Sequence, residues 1–377
     1  MTYRPVPIRH LDDVLPHIRE GTGIRAQRRE GYTVIDYGFM DRETFVSPVD
    51  HECRGLKFDA DGALMARPFH KFFNLGERQR VEEVDWSAPH RILAKLDGSM
   101  VHPAMLRGEL VLMTRGGISS QARAAMAAAT PAACALMRAA LADGITPIFE
   151  FTSPANRIVL AYDAPALTLL AARETVSGRY LGHGALVALA QSHGVPLVES
   201  FGSVADAKAF ARDTRAAEGI EGYVVAFEDG HRLKLKAESY VLRHKALDGL
   251  AHEKNLLAWI AGGALDDVLP LLAPDPRAAV EAYVAAAMDG VRRRATEVGD
   301  FVAAHAALPR KDFARAAQAL PKPLRAAAFG RLDGRDVQAQ LLDHLAWASG
   351  SETRVDAVRD LYGLPAWSGA GLGPDDA

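Results

Sequence analysis

The pattern of hydrophobic and polar positions changes near residue 247. Before it, short apolar or alternating runs predict β-strands at residues 32–37, 110–114, 148–151, 167–172, 223–227 and 233–235. Two segments in the same region, residues 121–143 and 184–193, have the spacing of helices. Strands mixed with helices over such a length are typical of an α+β domain.

After residue 247 the strand signals nearly vanish, and alanine, leucine and arginine dominate. Prolines at positions 270, 274, 309 and 321 predict several short helices packed together. The pattern therefore predicts an α+β domain over residues 1–247, followed by a smaller all-α domain over residues 248–377. The last ten residues, rich in glycine, are expected to be a frayed end.

The amino-acid composition favours an ordinary soluble protein over a membrane or disulfide-rich one. A hydrophobic content of 49% and a charged content of 24% are those of an ordinary soluble globular protein. The net charge of -3 means that any nucleic-acid binding requires basic residues concentrated on one face. Two cysteines provide no disulfide framework, and no apolar run is long enough to span a bilayer. We therefore expect a cytoplasmic protein that is not bound to a membrane.

A lysine followed by a tight-turn sequence is the strongest candidate for chemistry. Lys95 follows the apolar residues 92–94 and precedes Asp97 and Gly98. Asp-Gly favours a turn, and glycine there would let a bulky ligand approach the backbone. A lysine at such a strand end suits a covalent nucleophile, although a lysine before an Asp-Gly hairpin turn is also common without any function.

Acids and lysines follow in order along the chain. Alternation over residues 148–151 puts Glu150 on one face of a strand and two phenylalanines on the other. Glu221 and Gly222 open another apolar strand, and Lys234 and Lys236 share one face of a third. Each segment alone could be a solvated edge strand. Together, their order favours one functional site.

The segments KLDGS, IFEF, EGYVV and LKLK resemble, in this order, motifs I, III, IV and V of the covalent ligase and capping-enzyme superfamily. ECRG at 52–55, KFFN at 71–74 and FEFTSPANRIV at 149–159 are similar specifically to the RNA ligase 1 family of T-even bacteriophages. The resemblance covers roughly the first two thirds of the chain. It implies a nucleotidyltransferase (ATP-grasp-like ligase) domain with antiparallel sheets, before the all-α domain.

By this resemblance, Lys95 is the catalytic residue that carries AMP, Glu150 binds the ribose and Glu221 helps to hold a metal ion. The other positions expected to contact the nucleotide are Arg54, Lys71, Phe73, Gly98, Arg115, Gly222, Lys234 and Lys236. Arg115 stands where the family usually has lysine, so the charge is kept and the geometry is not. The implied cofactors are ATP and Mg²⁺ or Mn²⁺.

A lysine nucleophile must be neutral, whereas an ordinary lysine has a pKa of about 10.4. Burial and nearby positive charge disfavour the ammonium form. We therefore expect burial, Lys234, Lys236 and a bound metal ion to lower the pKa of Lys95. Lys236, and secondarily Lys234, are the candidates for contact with the α-phosphate.

The resemblance implies an ATP-dependent RNA ligase that joins a 3′-hydroxyl to a 5′-phosphate through lysyl-AMP and RNA-adenylate. Expected partners are RNA, such as broken tRNA, and an end-processing kinase or phosphatase. One alternative is a related DNA ligase or capping enzyme, although DNA ligases usually carry arginine at the position of Met100. The other is an RNA-binding relative without catalysis. The helical C-terminal region is a candidate for docking the RNA substrate.

Overall fold

The computed structural model describes residues 3–40, 43–272 and 274–369. Its strands are β1 (Ile24–Arg29), β2 (Tyr32–Tyr37), β3 (Leu56–Asp59), β4 (Leu64–Ala66), β5 (Phe73–Asn74), β6 (His90–Ala94), β7 (Ser99–Leu106), β8 (Glu109–Met113), β9 (Ile145–Thr152), β10 (Ala166–Glu174), β11 (Gly222–Phe227) and β12 (Arg232–Lys236). All of them precede residue 247. The predicted strands are confirmed, with ends shifted by a few residues.

The strands form three four-stranded sheets, in the orders β1-β2-β3-β4, β10-β9-β7-β8 and β5-β12-β11-β6. Every pairing between these strands is antiparallel except that of β5 with β12. In the third sheet, Val224 pairs with Leu93 on one side and with Lys234 on the other. This register puts the end of β6 beside the start of β11 and the end of β12.

The helices of the described residues are α1 (Pro48–Glu52), α2 (Ser120–Ala128), α3 (Pro131–Ala142), α4 (His183–His193), α5 (Ala207–Ala216), α6 (Glu238–Leu250), α7 (Glu253–Gly262), α8 (Pro274–His305), α9 (Arg310–Ala316), α10 (Lys322–Leu332), α11 (Val337–Trp347) and α12 (Glu352–Tyr362). The single helical segment predicted over residues 121–143 is two helices. The chain leaves the first at Ala129, and Thr130 caps a new helix that begins with Pro131. Proline is favoured at a first helical position because its missing N–H would be unpaired there.

The chain divides into two compact units, with the boundary between Val241 and Leu242. This boundary lies inside α6, six residues before the predicted one. The second unit has an apolar core formed by residues such as Leu256, Val291 and Leu341. The expectation of short helices alone was wrong, because α8 has 32 residues. Pro274 begins that helix instead of ending one. The expected frayed end lies outside the described residues from position 370 onward.

Within the described residues, no single helix is both long and apolar enough to cross a membrane. One bent pair, α2 with α3, passes the combined criteria of length and composition.

Candidate active site

Lys95 lies where the chain passes from the third sheet to the second. It directly follows β6, and its backbone N–H donates to the carbonyl of Gly222 on β11 at 3.0 Å. Its ammonium contacts Glu221 Oε1 at 2.7 Å, and Lys236 Nζ contacts the same oxygen at 3.0 Å. The side chain of Glu221 is only 3% exposed. One buried carboxylate therefore holds both lysines.

A cavity of about 240 Å³ opens beside Lys95. Its polar wall includes Arg54, Lys95, Arg115, Glu150, Arg232, Lys234 and Lys236. Its apolar wall includes Phe69, Phe72, Leu93, Met100, Leu170, Val198 and Val224. Cations next to an apolar recess are suited to a ligand that carries both phosphate and a flat base.

Strand alternation explains how these side chains reach one place. Lys234 and Lys236 line the cavity, whereas Leu233 and Leu235 lie in the apolar core on the other face of β12. Phe149 and Phe151 are likewise in a core, and Glu150 between them lines the cavity. β9 is an inner strand of its sheet, so the alternative of an exposed edge strand was wrong for Glu150.

The electrostatic state of Lys95 differs from the expected one. Burial lowers the pKa of its ammonium, but the carboxylates of Glu221 and Glu150 outweigh burial and raise the pKa above its ordinary value. The expected lowering of this pKa included the charge of a bound metal ion, so a neutral Lys95 in the loaded site stays a prediction. Attack by this amine requires that the negative charge of Glu221 be balanced by something other than Lys95.

Two other side chains that line the cavity have a shifted pKa, and in each case the shift favours the uncharged form. Burial, with repulsion from Glu221 and Asp97, raises the pKa of Glu150 to about 8 against the attraction of Lys95. Burial, with repulsion from Arg54 and Lys95, lowers the pKa of Lys234 to about 7. The charges that act most on Lys234 are therefore cations, and among the described residues it forms no ion pair with a carboxylate, so the approach of an anion such as phosphate would be favourable.

Asp97 is buried and its carboxylate accepts several hydrogen bonds. Its position in KLDGS indicated only a turn. Its Oδ2 accepts from the backbone N–H groups of Val159 at 2.8 Å and Leu160 at 2.7 Å. Its Oδ1 accepts from the Tyr240 hydroxyl at 2.7 Å. These bonds tie the Lys95 segment to the PANRIV segment and to α6. Sequence spacing could not reveal them, since Tyr240 is 143 positions away.

At both glycines assigned to the site, the surrounding backbone leaves no room for a side chain. A Cβ at Gly98 would lie 2.3 Å from the Phe151 carbonyl oxygen, so glycine is required there by the neighbouring strand. Gly98 also lines the cavity. Gly222 has a φ of +142° and a Cβ there would lie 2.0 Å from the Leu235 oxygen. It does not line the cavity, and its contribution is the carbonyl that holds Lys95.

Arg54 and Arg115 are held by a buried lysine that the sequence did not single out. Lys57 Nζ donates to the carbonyls of Gly55 at 2.6 Å and Arg115 at 2.9 Å. Arg115 Nε lies 3.2 Å from Asp36 Oδ2. Lys57 therefore ties together the two segments that bring arginines to the cavity.

Lys71 and Phe73 line a second cavity, of about 350 Å³, instead of the cavity beside Lys95. Phe72 and Arg232 line both cavities. Arg232 escaped the sequence analysis although the signal was present. It precedes Lys234 and Lys236 at the same two-residue spacing on β12 and therefore shares their face.

No group of three or more His, Cys, Asp or Glu residues that could hold a metal ion occurs in the part of the chain that the structure describes. Mg²⁺ usually keeps several waters and takes one or two carboxylates plus substrate phosphates. Glu221 fits this requirement, because its buried carboxylate contacts Lys95 and Lys236 on the wall of the cavity.

Comparison with known proteins agrees with this site. The sequence model of an RNA ligase family, the T4 RNA ligase 1 type, matches residues 52–245. The chain is 30% identical to a candidate RNA ligase of Thermovibrio ammonificans over 63% of this chain and 64% of that protein. It is 29% identical to RNA ligase 1 of bacteriophage TS2126 over 57% of this chain and 58% of the phage protein. An archaeal ATP-dependent RNA ligase structure has 20% identity and a TM-score of 0.44, covering 60% of this chain and 61% of its own.

The matched residues span just over half of the chain and include every motif around Lys95. The class is thus that of the covalent nucleotidyltransferases. The chain belongs to the RNA ligase family of the T4 RNA ligase 1 type. It covers less than two thirds of the length of the two relatives named above.

Proposed function

We propose that this protein is an ATP-dependent RNA ligase that joins a 3′-hydroxyl and a 5′-phosphate. The observation that carries the proposal is the contact of Lys95 with Glu221 at 2.7 Å, beside a cavity whose wall includes Arg54, Lys234 and Lys236. A lysine amine, a carboxylate and phosphate-binding cations are the groups needed for transfer of a nucleotide to lysine.

In the first step, Lys95 Nζ attacks the α-phosphorus of ATP. A P–N bond forms, the bond to the β-phosphate oxygen breaks, pyrophosphate leaves and the amine loses a proton. Lys236 and Lys234 stabilise the negative charge on the α-phosphate oxygens. Glu150 accepts hydrogen bonds from the ribose hydroxyls in its carboxylate form.

In the second step, a 5′-phosphate oxygen of RNA attacks the phosphorus of lysyl-AMP. The P–N bond breaks, Lys95 takes a proton, and RNA-adenylate forms. In the third step, a 3′-hydroxyl attacks the RNA 5′-phosphorus and loses its proton to solvent, and AMP leaves as the phosphodiester bond forms. Each step exchanges one ligand of phosphorus, so ATP ends as AMP and pyrophosphate.

We propose that Glu221 holds a divalent cation, Mg²⁺ or Mn²⁺. When bound, the ion supplies positive charge at the phosphate oxygens and competes with Lys95 for the charge of Glu221. The chain's own lysines and arginines orient the phosphates.

The physiological RNA, such as a broken tRNA, stays a prediction, as does action in the cytoplasm. Sealing requires ends with 5′-phosphate and 3′-hydroxyl. A kinase or phosphatase that prepares such ends therefore remains a predicted partner.

The test is incubation with α-labelled ATP and magnesium, followed by denaturing electrophoresis. We expect the label on the protein, and none on Lys95→Ala, because the substitution removes the amine that forms the bond to phosphorus. Lys208→Ala, an exposed lysine on α5, is the matched control and should label normally. Label on Lys95→Ala would contradict the proposal, and label from GTP in preference to ATP would favour a capping enzyme.

A further inference from the structure

A completely buried lysine contacts the loops that line the cavity beside Lys95. Lys57 lies on β3 and is 0% exposed. Its cross-strand neighbours are Val34 on β2 and Ala66 on β4, and both belong to an apolar cluster with Met113 of β8. Paired residues of neighbouring strands project from the same face of a sheet, so this lysine is on the face that packs against the second sheet. A buried ammonium group destabilises a fold unless it is hydrogen-bonded and paired, so its contacts indicate what it does.

The ammonium group of Lys57 holds the carbonyls of two loops. It donates to the carbonyl of Gly55 at 2.6 Å and to that of Arg115 at 2.9 Å. The loops touch at this point, since a Cβ at Gly55 would lie 2.8 Å from the Arg115 oxygen. The first loop begins at Arg54 and the second carries Arg115, and both arginines line the cavity beside Lys95.

Arg115 occupies the first central position of a tight turn. The Thr114 N–H donates to the Gly117 carbonyl at 2.8 Å, and the Gly117 N–H donates to the Thr114 carbonyl at 3.1 Å. The peptide between the two central residues of a turn has opposite orientations in turn types I and II. The oxygen of this peptide is the Arg115 carbonyl, which Lys57 holds. Lys57 therefore fixes the backbone from which the Arg115 side chain projects.

The guanidinium group of Arg115 is held as well. Its Nε lies 3.2 Å from Asp36 Oδ2, and the group lies 4.6 Å from the Tyr37 ring centre. Burial lowers the pKa of Lys57 to about 7, although the carboxylate of Asp36 raises it. Asp36, Lys57 and Arg115 are therefore one group of interacting charges, and Arg115 is the member that lines the cavity.

The positive charge at this wall of the cavity exceeds the negative charge. Within the described residues, Asp36 is the one carboxylate that forms an ion pair with any of the cations Arg54, Lys57 and Arg115. Arg54 Nη1 is buried and has no hydrogen-bond partner in the same part of the chain. An arginine binds phosphate through two parallel N–H groups, which requires a fixed orientation that a lysine in its place does not need. Because Arg115 stands where this family usually has lysine, a rigid support for its backbone matters here.

We propose that Lys57 is a positioning residue of the nucleotide site, which fixes the turn of Arg115 so that its guanidinium group binds the phosphates of ATP. Lys57 does not touch the nucleotide itself, and its effect on binding passes through Arg115. The inference rests on the proposed function, since it concerns how one of the substrates is held.

The experiment is a calorimetric titration of the full-length protein with a non-hydrolysable ATP analogue. Four proteins are compared: the natural one, Lys57→Met, Arg115→Ala and the combination of both changes. Methionine keeps the unbranched shape of the lysine stem and removes the donor and the charge. We expect each single change to raise the Kd about tenfold. The combined variant should bind no more weakly than Arg115→Ala, because no guanidinium group is left to position.

Phe58→Leu is the matched control for a general loss of stability. Phe58 is the next residue on β3, is equally buried and belongs to the apolar core on the opposite face of the strand. The substitution should lower the melting temperature, because it leaves a void, and should leave the Kd of the analogue unchanged. A Lys57→Met protein that behaves in the same way, less stable but with natural affinity, overturns the proposal. Losses that multiply to about a hundredfold in the combined variant also overturn it, because Lys57 would then act independently of Arg115.

A second variant keeps the test decisive if Lys57→Met does not fold. Lys57→Gln retains an N–H donor without the charge, and takes the same place in the comparison with Arg115→Ala. It should bind the analogue more weakly than the natural protein, again without a further loss in the combined variant. Since the titration requires no lysyl-AMP, a natural protein that binds the analogue but takes no label on Lys95 would refute the proposed function and leave the test of Lys57 intact.

Discussion

For single residues, the important feature is that the charged groups of the site are not all paired with one another, so that a bound ligand would change their protonation states. Glu221 holds Lys95 and Lys236 through one oxygen, whereas the charges that act most on Lys234 are cations and its ammonium lies 5.4 Å from the Phe72 ring centre. These contacts favour the protonated form of Lys95, whereas the cations around Lys234 favour its uncharged amine. Phosphate binding should reverse the state of Lys234, because an anion favours the ammonium form.

Proton uptake on nucleotide binding tests this reversal. The pKa of Lys234 is about 7 in the free protein, so at pH 8 the amine is mostly neutral and must take a proton when phosphate binds. At pH 6 it is already charged, and this contribution disappears. We expect calorimetry of a non-hydrolysable ATP analogue, in buffers of different ionisation enthalpy, to show more proton uptake at pH 8 than at pH 6.

Lys234→Arg is the matched variant, because arginine keeps the charge and does not titrate in this range. It should bind the analogue with less proton uptake at pH 8 than the natural protein. The difference in proton uptake between the two proteins reports the contribution of Lys234, since Glu150 is present in both. Identical uptake by the two proteins would contradict the assignment.

Tyr240 provides a second prediction at this scale. Its hydroxyl donates to Asp97 at 2.7 Å, and hydrogen bonds to charged groups contribute about 1.5–3 kcal/mol. Tyr240→Phe should lower the free energy of unfolding by roughly this amount and slow lysyl-AMP formation, because Asp97 positions the Lys95 segment. Urea unfolding and label transfer measure the two effects. Tyr223→Phe, on β11, is the control and should change stability by about 0.5 kcal/mol or less.

At the scale of elements, the important feature is the short link between β6 and β7. It carries Lys95 from one sheet to another, and it passes so close to β9 that only glycine fits at position 98. The link is therefore a crossing between sheets and not the predicted turn, and Gly98 lines the cavity as expected for a glycine that lets a ligand approach. The hydrogen bonds to Asp97 hold the link in place.

Gly98→Ala should displace this link, because the new methyl group would lie 2.3 Å from the Phe151 oxygen. We expect a lower melting temperature and a loss of label transfer. Gly184→Ala, in the first turn of α4, meets no atom within 4 Å and should leave both properties almost unchanged or slightly improve stability. A Gly98→Ala protein with normal labelling would show that the close approach is not required.

At the scale of the whole molecule, every residue assigned to nucleotide chemistry belongs to the first compact unit. A chain that ends at Asp248 keeps Tyr240 and most of α6, and omits Leu250, which is buried in the core of the second unit. We expect this shortened protein to form lysyl-AMP. The helical unit, in contrast, should affect the choice of RNA.

The comparison uses a broken tRNA stem-loop and a plain single-stranded RNA, each with the full and the shortened protein. A selective loss on the stem-loop supports a docking role for the helical unit. Equal ligation of both RNAs by both proteins would remove that role. A shortened protein that is folded by circular dichroism but takes no label would show that the functional boundary lies elsewhere.

The α+β region and most of its strands could be predicted from the amino-acid sequence, because they depend on local apolar spacing, and the order of the motifs is a property of the sequence itself. The sequence also predicted that Lys234 and Lys236 share a face and that Glu150 opposes two core phenylalanines, since alternation along a strand is a local property. The same spacing extends to Arg232 and was sufficient to find it.

Which charged groups contact one another depends on the tertiary fold. The pairing of Lys95 with Glu221, the anchoring of Asp97 by Tyr240 and the separation of Lys71 from the Lys95 cavity join segments distant in the chain. The pKa of Lys95 depends on these neighbours more than on its own burial, so it could not follow from the motif. Local pattern specifies which face a side chain occupies, whereas the packing of sheets specifies what stands opposite it.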